Sequence, residues 1–402
     1  MTQNATDRSG LGRGLLLASM LLCAANFRAP ITGVGPLLEV IRGSFGLSAA
    51  QAGLLTTLPI VAFATVSPFC VGLVRRFGLE RTLMAAMILL GAGIALRSAG
   101  PLWALFAGTA MMGAAIALGN VLLPTLVMRD FPDRVTATTT FYVITMALSG
   151  AAFSVLVAPL FEALGSWRIA LGLGVVPVLL AIFVWSPRTR RGAAIAPAGQ
   201  RAKSPSLWRT PLAWQVTGFM ALNSFVFYVV ITWLPAMLQA KGHTMADSGA
   251  LHGLMQAVGI IPLLLALPLM SRLKDQRMAA FLVSLLAAIG FLGLALAPQW
   301  AVVWVSAYGA ASGAGLVLAL SFASLRASSV EQGAALSGMA QSVGYTLAAI
   351  GPASMGALHD AMGSWDAALW ICAAAALVQA VIGLYAGRAV KLALVAPRSP
   401  PA

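Results

Sequence analysis

Arg28 is the residue of this chain whose type and setting most demand a chemical explanation. It lies about fourteen residues into a long apolar run, roughly 20 Å of helix from the start of that run, with apolar sequence on both sides. Charges at that depth in a membrane are expensive and tend to mark binding or transport sites. A guanidinium keeps its charge at any relevant pH and presents several donors in a fixed fork, so its chemistry is the binding of an anion or a strong dipole. The competing reading is a structural cation satisfied by neighbouring carbonyls, since Pro30 lacks an N–H and its ring frees a carbonyl one turn earlier. Thr32 and Gly35 follow at i+4 and i+7, on the same helical face. No acidic residue reaches comparable depth, and Glu39 and Arg97 fall near span ends on the outer side.

Further polar side chains sit in apolar surroundings: Asn120, Asn223, Gln256, and Gln341 with Tyr345 one turn later. Each is a candidate to line a cavity with Arg28. Asn26, two residues from Arg28 and on nearly the opposite face, pairs with Asn223 in the repeat described below. Those two asparagines read either as helix-packing glue or as site. Tyr142, Phe227, Tyr228, Trp233 and Tyr308 are candidate aromatic walls, with lipid-facing or packing roles as the alternative. His252, near the outer end of its span, is a candidate coupling residue because histidine titrates near neutrality; a plain hydrogen-bonding role competes. Cys23, Cys70 and Cys372 lie inside apolar runs without CxxC or Cys/His spacing, so they read as packing thiols and no metal is expected.

The elements that position these residues follow from composition. The 402 residues are 60% hydrophobic and 9% charged, too apolar for a soluble domain to hide. Apolar runs at about 14–41, 50–74, 82–99, 101–128, 135–161, 167–187, 211–239, 248–271, 278–297, 299–324, 334–358 and 366–388 are long enough to cross a bilayer. The first run is too long for a signal h-region and reads as an uncleaved span. The net charge of +14 does not gather on one face or in one domain, so nucleic acid is not an expected partner. Instead, with both termini cytoplasmic, 20 of the 25 Lys and Arg fall in cytoplasmic segments. A multi-pass inner (plasma) membrane protein of a bacterium, monomeric, with the lipid bilayer as solvent, is the expectation.

The chain repeats itself at a spacing near 197. Leu160-Phe-Glu-Ala-Leu-Gly165-Ser-Trp167 returns as Leu358-His-Asp-Ala-Met-Gly363-Ser-Trp365, and Gly46-Leu-Ser-Ala-Ala-Gln-Ala-Gly53 as Gly242-His-Thr-Met-Ala-Asp-Ser-Gly249. Arg76 and Arg81 then fall on Arg272 and Arg277. Six spans per copy make the copies parallel, which is the arrangement of the major facilitator fold, with solute bound between halves. The expected division is a six-helix half at 1–187, a cytoplasmic linker at 188–210 rich in Pro, Gly and basic residues, and a second six-helix half at 211–402.

Two segments carry a family resemblance. Gly72-Leu-Val-Arg-Arg-Phe-Gly78-Leu-Glu80-Arg81 resembles the loop signature of the major facilitator superfamily, except that Arg75 stands where that signature has an Asp, so the ion pairing it implies is not assured and Glu80 is the possible substitute. Asn26-Phe-Arg28-Ala-Pro30-Ile-Thr32-Gly-Val-Gly35-Pro36-Leu-Leu resembles the cyanate and 2-nitroimidazole transporter branch. The resemblance implies an all-α, twelve-helix transporter for a small anionic or strongly polar solute, moved by alternating access, with Arg28 as its binding residue. Multidrug or toxic-compound efflux and a non-transporting membrane sensor are the alternatives. There is no GxxxxGK[ST], HExxH or GxSxG, so neither ATP-driven transport nor catalysis is expected, and no cofactor.

Overall fold

The computed structural model describes residues 3–191, 207–262, 264–265 and 275–392. Residues 192–206 of the expected linker, the end of the eighth span beyond 265 with Arg272 and Lys274, and Arg398 lie outside the described residues.

Within the described residues every expected span coincides with helix. The first is broken into α1 (Gln3–Ala25), α2 (Ala29–Thr32) and α3 (Val34–Phe45). Then come α4 (Ala49–Phe77), α5 (Leu79–Arg97), α6 (Leu102–Asp130) and α7 (Val135–Leu164). The sixth span is split into α8 (Trp167–Gly172) and α9 (Val175–Trp185). After the linker follow α10 (Pro211–Ala240), α11 (Met245–Val258), α12 (Arg277–Leu296), α13 (Ala301–Leu325), α14 (Val330–Met362) and α15 (Asp366–Ala386). Among the described residues nine helical stretches are long and apolar enough to cross a membrane; α4 contributes only the shorter apolar stretch Ala49–Phe63, and α11 and α14 are not among the nine.

The two breaks correct the expectation of continuous spans; the first has a steric cause at Gly33, and at the second Pro177 cannot donate to the carbonyl of residue 173. Pro30 cannot donate to the carbonyl of residue 26. A side chain at Gly33 would meet the Phe153 ring at 2.3 Å, and one at Gly174 would meet the same ring at 3.5 Å. The α7 phenylalanine thus touches both irregular turns and is pressed close enough at Gly33 that only glycine is permitted there.

The repeat is visible in local chemistry. Ser48 caps α4, accepting from the Gln51 amide, and Thr244 caps α11, accepting from the Asp247 amide. Gly165 and Gly363 close α7 and α14 with left-handed φ of 64° and 67°, where a Cβ would be strained. At the end that holds the chain termini, Arg129 pairs with Glu80 at 2.6 Å, while at the matching positions Arg326 donates to Gln276. Glu80 therefore makes an interhelical ion pair even though Arg75 replaces the Asp of the loop signature.

One apolar cluster runs through residues 20–185, another through residues 207–392, and a third joins helices from both stretches. The two sets of helices meet along α4 with α14, α7 with α11, and α3 with α10. The meeting is tight at the end remote from the termini. A Cβ at Gly53 would lie 2.6 Å from the Pro352 carbonyl oxygen, at Gly253 2.8 Å from that of Ala151, and at Gly35 3.0 Å from that of Ile231. Asp360 of α14 also accepts hydrogen bonds from the Ala49 and Ala50 amides, both at 2.9 Å, and from Arg42 at 3.3 Å.

Candidate functional site between the helix sets

The break in the first span aims Arg28 into the space between the helix sets. Arg28 stands just before α2, and its carbonyl accepts the Ile31 and Thr32 amides, so its side chain leaves the backbone at the junction of two short helices. Its guanidinium carbon lies 5.0 Å from the centroid of the Phe227 ring on α10, within range of a cation–π attraction. Tyr228 packs edge-on to Phe227 at 5.3 Å. Tyr228, Tyr345 and His252 all lie within electrostatic reach of the guanidinium. Among the described residues no carboxylate pairs with Arg28.

Gly150 of α7 makes this convergence possible. A Cβ there would meet Arg28 Cγ at 2.8 Å, Gln256 Oε1 at 3.0 Å and Thr32 Oγ1 at 3.2 Å. The Thr32 hydroxyl donates to the Gly150 carbonyl at 3.0 Å, which fastens the Arg28 segment to α7. Gln256 Oε1 is buried and has no partner among the described residues, so it is an acceptor free to meet a donor on a bound solute. His252 is wholly buried; its Nδ1 shares a 2.8 Å hydrogen bond with Ser154 Oγ, across the contact of α7 with α11.

Seven of the sequence candidates therefore gather here: Arg28, Thr32, Phe227, Tyr228, His252, Gln256 and Tyr345. Tyr345 also borders a cavity of about 540 Å³ between α4 and α14, with Thr57 and Ala349 on its walls. The other candidates make no described contact with this group. Asn223 and Tyr308 line a separate small pocket with Ser284, Ser312 and Gln379, inside the second helix set, where Asn223 accepts from Gln379 at 3.4 Å. Tyr142 is buried in the apolar cluster of residues 20–185, about 12 Å along α7 from Gly150. Asn120 is exposed on α6. The Gln341 amide donates to Ser337 one turn earlier on α14. Asn26 donates to the carbonyls of Leu22 and Pro177 and so holds α1 against α9. Trp233 donates to the Pro352 carbonyl at 2.8 Å, a packing contact of α10 with α14.

Two residues with a part in this site were missed at the level of sequence. Gly150 was one glycine among 40. Arg97, expected near a span end and found as the last residue of α5, is 2% exposed and donates to the Pro30 carbonyl at 2.9 Å. Among the described residues no group of three or more His, Cys, Asp or Glu is placed to hold a metal ion.

The arrangement, one uncompensated cation, aromatic faces and a free amide acceptor, can bind a small planar solute bearing an anionic or dipolar group. A sequence profile described as the Major Facilitator Superfamily matches residues 16–349. The chain is 47% identical to a 2-nitroimidazole transporter of Escherichia coli, over 96% of this chain and 98% of that one. It is 26% identical to a cyanate transport protein of the same organism, over 87% and 91% of the two chains. The fold resembles the crystal structure of a D-xylose-proton symporter, with a TM-score of 0.74 at 14% identity, covering 94% of this chain and 99% of that chain.

Proposed function

The chain belongs to the Major Facilitator Superfamily, a family of multi-pass membrane transporters, and from that premise we propose that it moves a small planar solute with an anionic or strongly dipolar group, held by Arg28 between two six-helix halves. The halves are 1–187 and 211–402, joined by the cytoplasmic linker 188–210. The solute class is that of a nitroimidazole-like heteroaromatic or a cyanate-like anion.

The observation that carries this reading is the setting of Arg28. A partly buried cation is retained at a cost unless it has a counter-charge, and here the facing groups are the Phe227 ring, two tyrosines and the Gln256 amide. A nitro group or a carboxylate supplies the missing acceptor pair in bidentate geometry. The faces of Phe227 and Tyr228 suit a flat ring. The named solute of the relative that shares 47% of its residues fits both requirements.

The way the helix sets meet supports alternating access. Tight glycine contacts and the Asp360 bonds close the end remote from the termini. Loosening those contacts while the other end tightens would present the Arg28 site to the opposite side. With no carboxylate beside Arg28, anion exchange or uniport is favoured over proton symport through an acidic residue.

The test is flux in reconstituted liposomes. Protein-dependent movement of labelled 2-nitroimidazole or cyanate is expected for wild type, and Arg28→Ala is expected to lose it. Flux of neither probe, in a preparation that folds and inserts, overturns the solute class. Equal flux in Arg28→Ala overturns the role of Arg28.

A further inference from the structure

Arg97 is a buried cation with no counter-ion, and its surroundings point to a task. It ends α5, is 2% exposed, and has no carboxylate partner among the described residues. Its Nε and Nη2 are buried without partners, and its single hydrogen bond runs from Nη1 to the Pro30 carbonyl at 2.9 Å. That carbonyl is itself unusual. The chain turns irregular at Gly33, whose own amide bonds to Ala29, and among the described residues no backbone amide takes the Pro30 oxygen. An unbonded buried carbonyl is costly, and here a guanidinium from another helix satisfies it.

The approach of α6 explains how Arg97 reaches so far inward. A Cβ at Gly108 would meet the Arg97 amide nitrogen at 2.4 Å and its Cα at 2.8 Å. The α5 backbone at Arg97 is therefore pressed against α6, and the side chain extends to the first span. It bonds two residues after Arg28, on the four-residue helix that sets the direction in which Arg28 leaves the chain.

We propose that Arg97 is a positioning residue for solute binding, clamping the Pro30 carbonyl so that the broken first span holds Arg28 aimed between the helix sets. The proposal rests on the reading of Arg28 as the solute anchor, but its structural half can be measured without any solute. Neutral donors at position 97 are too short for this reach, whereas lysine keeps a donor on a long stem.

Hydrogen exchange on the purified full-length protein tests the clamp. In Arg97→Met the amides of Ile31, Thr32 and Gly33 should exchange about tenfold faster, the effect of losing one charged hydrogen bond, while amides in the middle of α12 stay unchanged. Arg97→Lys should restore most of the protection. Unchanged exchange at 31–33, or equal acceleration in α12, overturns the clamp. The link to Arg28 is read from 2-nitroimidazole affinity in a double-mutant cycle. Arg97→Met should weaken binding by about tenfold beside Arg28 and by less than about twofold in the Arg28→Ala background. Equal losses in both backgrounds overturn positioning. If wild type binds no 2-nitroimidazole, the solute reading fails, and exchange at 31–33 still decides whether Arg97 holds the segment.

Discussion

Arg28 and Phe227 face each other across the two helix sets, guanidinium carbon to ring centroid at 5.0 Å. One comes from the break in the first span and the other from the middle of α10, 199 residues later. Their contact is therefore sensitive both to what is bound between the sets and to how the sets are tilted. A solute acceptor that engages Arg28 has to compete with this ring. Phe227→Leu removes the π face but keeps apolar bulk, and it should weaken binding of a planar solute by about fivefold while leaving a linear anion within about twofold, because the stacking contribution is roughly 1 kcal/mol. Comparing 2-nitroimidazole with cyanate in the same variant checks this.

Closure of the end remote from the termini rests partly on Asp360. Burial works against its ionisation, yet the amides of Ala50 and Ala49 and the Arg42 guanidinium hold its carboxyl below the usual carboxylate range. A group with a lowered folded-state value contributes fully above the usual range and loses that contribution as pH falls through the lowered value. Distances between spin labels at Ser44 and Met362 should therefore shift toward longer values in Asp360→Asn at neutral pH, and in wild type only under strong acid. Identical distance distributions for Asp360→Asn and wild type would remove Asp360 from the closure.

The glycine contacts make a separate prediction for the same end. Gly253→Ala places a methyl 2.8 Å from the Ala151 carbonyl oxygen and 2.4 Å from Val155 Cγ2, so closure should weaken by about 1–3 kcal/mol, the usual range for overpacking. Gly72→Ala, with nothing within 4 Å, is the control and should behave as wild type in the same label-distance measurement.

At the opposite end the two copies of the repeat use different chemistry at matching positions. Arg129→Met leaves the Glu80 carboxylate buried without its partner, a loss of about 3 kcal/mol for a pair of this kind. Glu80→Gln copies the Gln276 arrangement and should cost about 1 kcal/mol. Thermal unfolding in detergent should therefore rank wild type above Glu80→Gln above Arg129→Met; the reverse order of the two variants contradicts this account of the pair.

The sequence carried the span pattern and the repeat because both are one-dimensional signals. Apolar length marks a helix that crosses lipid, and Gly165 and Gly363 recur because each closes a helix in a left-handed turn that a Cβ would strain. Direction around a helix was far less legible. Arg28 and Arg97 are the same residue type in similar apolar settings, yet one faces the space between the helix sets and the other a carbonyl inside the first set. Depth along a span separates them, but it does not show that Arg97 turns inward to the first span; packing of α5 on α6 does. For the same reason Asn223 and Tyr308, plausible by polarity and repeat position, turn into a pocket away from Arg28. Gly150 became meaningful only once the three side chains it admits were in place.

The central claim is that Arg28 binds the solute, and equilibrium titration of 2-nitroimidazole into purified protein tests it most directly. Wild type should bind saturably. Arg28→Lys, which keeps the charge but loses the fork, should bind about tenfold more weakly, and Arg28→Ala at least about a hundredfold more weakly, as expected for the loss of a charged bidentate contact. Arg28→Ala binding with wild-type affinity, in protein that unfolds at the wild-type temperature, would contradict the account.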